Sequence, residues 1–178
     1  MTLLNDVWIR ENAPVLFSDF DENRLQPASY DLILSGAVLV PGHGIVSIAD
    51  PRGTEQDMAR AELPFILSPG EFVLGSTRDI ITVPDDVGAR FEGKSTLGRM
   101  GLATHITAGF IDPGFHGSIT VEIKNMTTAT SIVLSRSMPI GQICFYEMNG
   151  PSRHPYGKDN GNHYNGQVGP KQPYFYNE

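Results

Sequence analysis

Apolar residues at 3, 4, 7 and 8 within Leu3–Glu11 recur at helical spacing, which predicts a short helix at the start of the chain. The period then changes. Tyr30–Leu34 and Ala37–Val40 read as short strands around Gly36, and Asp50–Leu63 as a polar surface excursion in which Glu55–Glu62 adds a turn of helix. Strands are predicted in quick succession after it: Phe65–Leu67, Glu71–Ser76 following the Pro69-Gly70 turn, Ile80–Val83, Ala89–Glu92, Ile119–Asn125, Ser131–Leu134 and Ile140–Glu147. Many short strands separated by turn residues predict a mainly β sandwich or barrel with a few short helices. From Gly150 to Glu178 the chain is aperiodic and rich in Gly, Pro, Asn and Tyr, the mark of a tail. No repeat or linker divides the rest, so one domain over residues 1–178 is expected.

Composition narrows the function classes. A formal charge of −7 makes the overall field repel polyanions, which argues against a nucleic-acid reader but leaves room for a small anion at a local cluster of cations. Cys144 is the single cysteine, so an intramolecular disulfide and a multi-cysteine zinc site are excluded; its Gly141–Tyr146 surroundings read as a buried strand and Cys144 as core. No apolar run approaches the roughly 20 residues of a membrane span. Met1–Asn12 lacks the basic-then-apolar order of a signal peptide, so a cytoplasmic location is expected.

Two segments carry candidate chemistry. In Lys94–Leu102 a strand breaks at Gly93, and Ser95 or Thr96 suits the N-cap of a short helix whose open N–H groups, with Lys94 and Arg99, would seat a phosphate; an ordinary capped turn reads the same. In Ser118–Lys124, Ile119, Val121 and Ile123 alternate with polar residues, so Glu122 leaves the apolar face. Alone, such a carboxylate is simply solvated. Asp112 precedes a Pro-Gly turn, where local hydrogen bonding is its ordinary use, and His116 reads as a loop residue. A zinc deaminase needs a His/Cys/Cys set, and a serine hydrolase of one common type needs G-x-S-x-G; neither is present.

The run from Phe91 to Leu102 (FEGKSTLGRMGL), followed by Thr104–Gly117 (THITAGFIDPGFHG), resembles the dCTP deaminase branch of the trimeric dUTPase-like superfamily. Gln26–Asp31, Leu67–Ser76, Ile140–Phe145, His154–Gly157 and Tyr164–Gln167 extend the resemblance over nearly the whole chain. It implies a distorted jelly-roll or β-barrel fold, a homotrimer and active sites shared between neighbouring subunits. It further implies that Glu122 is the general base, and that Lys94, Ser95, Thr96, Arg99 and Gln142 bind the triphosphate. Ala108 would offer backbone contacts, Phe115 would pack on the deoxyribose, and Tyr156, Tyr164 and Gln167 would belong to a closing tail. Mg²⁺ would arrive on the nucleotide, without zinc, and dTTP would inhibit.

A Glu at position 122, where simple dUTPases carry an apolar residue, favours deamination. Gly109-Phe110 resembles the bifunctional, dUMP-forming members, in which Asp112 would orient a second water. Release of dUTP, a dUTPase without deamination, and a silent nucleotide-binding jelly roll remain as alternatives. Two departures concern the tail. His163 stands where many members have Lys or Arg, and Lys171-Gln-Pro-Tyr174 replaces the familiar Thr-Pro-Ser-Arg, so that Lys171 stands in for the missing cation.

Overall fold

A computed structural model describes residues 2–44, 57–157 and 161–174. Two antiparallel sheets bury their apolar faces in one core. The first runs in the order Phe110–Ile111, Val87–Glu92, Pro139–Glu147, Ser29–Ile33, Leu25–Gln26, with Thr2–Leu3 added against the end of Pro139–Glu147. The second runs Leu102–Ala103, Thr120–Asn125, Phe72–Ser76, Ala37–Pro41, Met58–Glu62. Tyr30, Phe91, Ile143 and Phe145 from the first meet Val38, Val73, Val121 and Ile123 from the second. Two hairpin-sized sheets, His116–Gly117 with Ile81–Thr82 and Ile132–Leu134 with Phe65–Leu67, complete the strand pairing. The mainly β fold agrees with the alternation of the sequence; among the described residues the two large sheets stay open and pack face to face as a sandwich.

The helix spans Asp6–Leu16 rather than Leu3–Glu11. Asn5 caps it by accepting from the Trp8 N–H at 3.1 Å, and Ile9, Ala13 and Leu16 face the core. Leu3 is drawn out of the helical pattern because Leu3 pairs with Tyr146 and the Leu4 N–H donates to the Phe145 carbonyl. Pro14 lies inside the helix, between the buried Ala13 and Leu16, and has no N–H to donate to the preceding turn.

Met58–Glu62 is a strand and not a helical turn; it pairs along Ala37–Pro41, from Ala37 opposite Glu62 to Pro41 opposite Met58. The earlier part of that expected excursion, residues 50–56, lies outside the described residues. Cys144 is half-buried, not core, because the strand alternation gives the inner face to Ile143 and Phe145. Gly141 is required by close packing, since a Cβ there would overlap the Phe91 ring. Among the described residues no helix is long and apolar enough to cross a membrane.

Tyr30 gives the fold an alkaline weakness. It is fully buried against Phe17 and Phe20, its hydroxyl accepts the Asp21 N–H at 2.8 Å, and burial pushes its phenol above the ordinary value. Between the unfolded value near 10 and the higher folded value the native chain holds the extra proton, so stability falls as pH rises through that window. Urea midpoints measured from pH 8 to 11 should therefore fall more gently above pH 10 in Tyr30→Phe than in the unaltered protein. Equal slopes would remove Tyr30 from the account.

Candidate functional site

Glu122 sits mid-strand in Thr120–Asn125, between the buried Val121 and Ile123 and opposite Leu74 of the neighbouring strand. On its other side, among the described residues, the strand is paired only at Asn125 and Lys124, by Leu102 and Ala103. Past that short pairing the chain leaves as the loop Thr104–Gly109, and the backbone N–H of Ile106 donates to Glu122 Oε2 at 2.8 Å. One carboxylate oxygen is thus fixed in place. Among the described residues the other makes no hydrogen bond.

This carboxylate lines a cavity of about 420 Å³, within the range of small-molecule sites. Leu74, Phe115, Ile119 and Tyr156 form its apolar walls, with the Phe115 and Tyr156 rings 5.9 Å apart. Asp112, Glu122, Thr120 and Gln167 supply polar groups, and Ala108, Phe110, Tyr164 and Lys171 also reach it. Asp112 does not use its carboxylate for the turn: its backbone carbonyl accepts the Phe115 N–H, and its side chain lines both this cavity and a smaller polar one of about 120 Å³ beside Ser152, His154 and Asn162.

The tail builds one wall. Gln167 pairs in parallel with Gly117, the Ser118 N–H donates to the Gln167 carbonyl at 2.9 Å, and Gln167 Nε2 donates to the Ser118 carbonyl at 2.6 Å. Gly117 has a φ of +148°, and a Cβ there would approach the Gln167 carbonyl oxygen to 2.9 Å, so only glycine lets the tail lie this close. The Tyr156 hydroxyl accepts the Tyr164 N–H at 3.2 Å; burial holds the Tyr156 phenol above its ordinary value, so it stays protonated.

Eight of the sequence-predicted residues therefore converge: Glu122, Asp112, Ala108, Phe115, Tyr156, Tyr164, Gln167 and Lys171 all line the one cavity. Five do not. Lys94, Ser95, Thr96, Arg99 and Gln142 lie around the five-residue helix Ser95–Arg99 and the adjoining strand. Lys94 itself occupies the N-cap position, so the expected Ser95 or Thr96 cap is not formed; both residues fall inside the first helical turn, exposed to solvent along with Arg99. Lys94 Nζ donates to Asp31 Oδ1 at 2.5 Å, and Gln142 accepts from Ser29 Oγ at 2.7 Å while donating to the Gly93 carbonyl at 3.3 Å. Ser95, Thr96 and Arg99 thus face outward, whereas the Lys94 ammonium is part-buried in its ion pair with Asp31.

Two participants escaped the sequence reading. Thr120, two residues before Glu122 and so on the same strand face, accepts from the Lys171 N–H at 3.2 Å and from Gln167 Nε2 at 3.4 Å; the period-two rule could have found it. The Ile106 N–H is a backbone donor from an irregular loop and carries no side-chain signature. Among the described residues no group of three or more His, Cys, Asp or Glu side chains is placed to hold a metal ion.

A family model described as dCTP deaminase-like matches residues 3–148. A dCTP deaminase, dUMP-forming, from Nocardioides sp. (strain ATCC BAA-499 / JS614) is 47% identical over 162 residues, covering 88% of this chain and 84% of its own. The protein of that name from Streptomyces coelicolor (strain ATCC BAA-471 / A3(2) / M145) is 44% identical over 177 residues, covering 94% of this chain and 92% of its own. Among solved structures, the 2'-deoxycytidine 5'-triphosphate deaminase from Agrobacterium tumefaciens superposes with a TM-score of 0.63 at 26% identity over 80% of this chain; the match spans about half, 47%, of that longer chain.

Proposed function

This chain belongs to the dCTP deaminase-like family, and we propose from that premise that it hydrolyses dCTP at cytosine C4 and carries the product on to dUMP. The observation that carries this reading is the Glu122 carboxylate, pinned through one oxygen by the Ile106 N–H and open through the other to a cavity with apolar, aromatic walls. A pyrimidine nucleoside suits such walls. Glu122 accepts a proton from water as the water oxygen bonds to C4, then returns protons to the ring nitrogen and to the departing amino group. The first step consumes dCTP and water and yields dUTP and ammonia. A second water, oriented by Asp112, breaks the bond between the α- and β-phosphates to give dUMP and pyrophosphate.

Phe115 packs against the deoxyribose, where a 2'-hydroxyl would crowd it, while Ala108 contributes backbone groups near the amino group and Tyr156, Tyr164 and Gln167 close the tail over the base. Lys94, Ser95, Thr96, Arg99 and Gln142 bind the triphosphate from a neighbouring subunit. A homotrimer with shared sites accounts for their absence from the cavity of their own chain, since an outward-facing anion seat becomes useful only against another molecule's pocket. Magnesium enters bound to the triphosphate, neutralising charge that would otherwise meet Asp112 and Glu122. The enzyme works on free nucleotides in the cytoplasm, and dTTP competes for the same cavity.

Incubating the protein with dCTP and Mg²⁺, and quantifying ammonia, dUTP, dUMP and pyrophosphate separately, tests this reading. Ammonia, dUMP and pyrophosphate are expected in equal amounts, with at least about tenfold less ammonia from CTP. Accumulation of dUTP would overturn the second step. Cleavage of dUTP without ammonia from dCTP would overturn the first.

A further inference from the structure

Among the described residues that line the Glu122 cavity, Lys171 is the only Lys or Arg, against two carboxylates, Asp112 and Glu122. It lies in the exposed part of the tail, and its ammonium makes no ion pair among the described residues. Two hydrogen bonds and a ring stack are among the attachments that hold residues 171–174 at the rim. The Lys171 N–H donates to Thr120 Oγ1 at 3.2 Å, the Tyr174 N–H donates to the Tyr164 hydroxyl at 2.8 Å, and the His163 and Tyr174 rings stack at 3.5 Å with 9° between their planes. Tyr164 in turn lines the cavity and hangs from the Tyr156 hydroxyl. The stack therefore closes a loop of chain, from 163 to 174, that carries Lys171 at the mouth.

We propose that the His163–Tyr174 stack is a clasp that holds Lys171 over the cavity mouth, where its ammonium binds the phosphate chain of the nucleotide. This rests on the nucleotide-hydrolysing reading of the cavity and names how that cavity tolerates an anion. A polyphosphate entering a chain of net charge −7 and passing two carboxylates needs a cation where the base has been swallowed and the phosphates still face solvent. Lys171 is there, while Gln172 and Pro173 beside it line the cavity without charge. His163 and Tyr174 are positioning residues: they act through Lys171 and touch no reacting atom.

The test uses the full chain and dCTP with Mg²⁺. Lys171→Gln should raise KM about tenfold, the low end for a hydrogen bond to a charged group, with kcat within twofold. Lys171→Arg should retain KM. Tyr174→Ala and His163→Ala should raise KM in the same direction, and Tyr174→Phe, which keeps the stack, should not. The double variant Lys171→Gln/Tyr174→Ala should be no worse than Lys171→Gln alone, because the clasp acts only through the lysine. An unchanged KM in Lys171→Gln, or additive losses in the double variant, would overturn the proposal. Calorimetric binding of dCTP to Glu122→Gln, with and without Lys171→Gln, reads the same contact without turnover. If the unaltered protein released no ammonia, the hydrolytic reading would fail, while the shift in Kd would still decide the fate of the clasp.

Discussion

Replacing Glu122 by glutamine is expected to reduce ammonia release from dCTP by about 10²- to 10⁴-fold in kcat, the span associated with loss of a positioned general base. Glutamine has nearly the shape of glutamate, and its carbonyl oxygen can accept the Ile106 N–H at the same 2.8 Å. The strand pairing opposite Leu74 uses backbone groups and is untouched. What the amide cannot do is take a proton from water. Two measurements separate chemistry from architecture. Thermal stability should change by less than about 0.5 kcal/mol, as for a substitution that leaves packing and hydrogen bonds in place, and dCTP should bind with an affinity near that of the unaltered protein. A variant with kcat within tenfold of the original would show that the carboxylate only anchors the loop Thr104–Gly109, and the proposed reaction would lose its base.

The reason that Glu122 could be singled out at all is local. Val121 and Ile123 flank it in a period-two pattern, and the buried and half-buried faces of the strand reproduce that pattern residue by residue. Phe65–Leu67 and Pro139–Glu147 were legible for the same reason, each apolar run ending in turn residues. Met58–Glu62 was not, because Met-Ala-Arg-Ala-Glu is no stronger as a strand than as a helix; its partner Ala37–Pro41 decides the matter by offering an open edge. Leu3 misled in the opposite way, fitting a helical spacing that pairing with Tyr146 overrides. Such outcomes depend on elements far away in sequence, and no local pattern encodes them.

At the site the same division holds. Side chains that the family resemblance marked, such as Phe115, Gln167 and Tyr156, appear together because the tail doubles back along Gly117 and Ser118. The partner that fixes Glu122 is a backbone group whose position depends on how Thr104–Gly109 leaves the sheet edge, which residue identities do not reveal. The separation of the Lys94–Arg99 cluster from the cavity is also a three-dimensional fact; residues close in motif space can belong to two different surfaces.

That separation leads to the second large expected effect. On the proposed reading, Glu122→Gln removes the base from the cavity surface and the pair Ser95→Ala/Arg99→Ala removes anion contacts from the helix surface, so each protein alone should be nearly inactive. Co-expressed at equal levels, they should regain about one quarter of the unaltered activity per site, the fraction of shared sites at which an intact cavity happens to face an intact helix in a cyclic oligomer. The helix variants keep the Lys94–Asp31 ion pair and the buried Leu97, so the local fold that presents the surface is retained. Were each chain to build its whole site alone, every site in the mixture would carry one lesion or the other, and recovery would be zero at any mixing ratio. Recovery that peaks at equal expression would support the proposed sharing of sites between subunits, and a particle mass in solution of three chains would support the proposed homotrimer. Full activity in the helix variant by itself would instead show that the outward-facing cluster is an ordinary solvated turn with no part in binding the substrate.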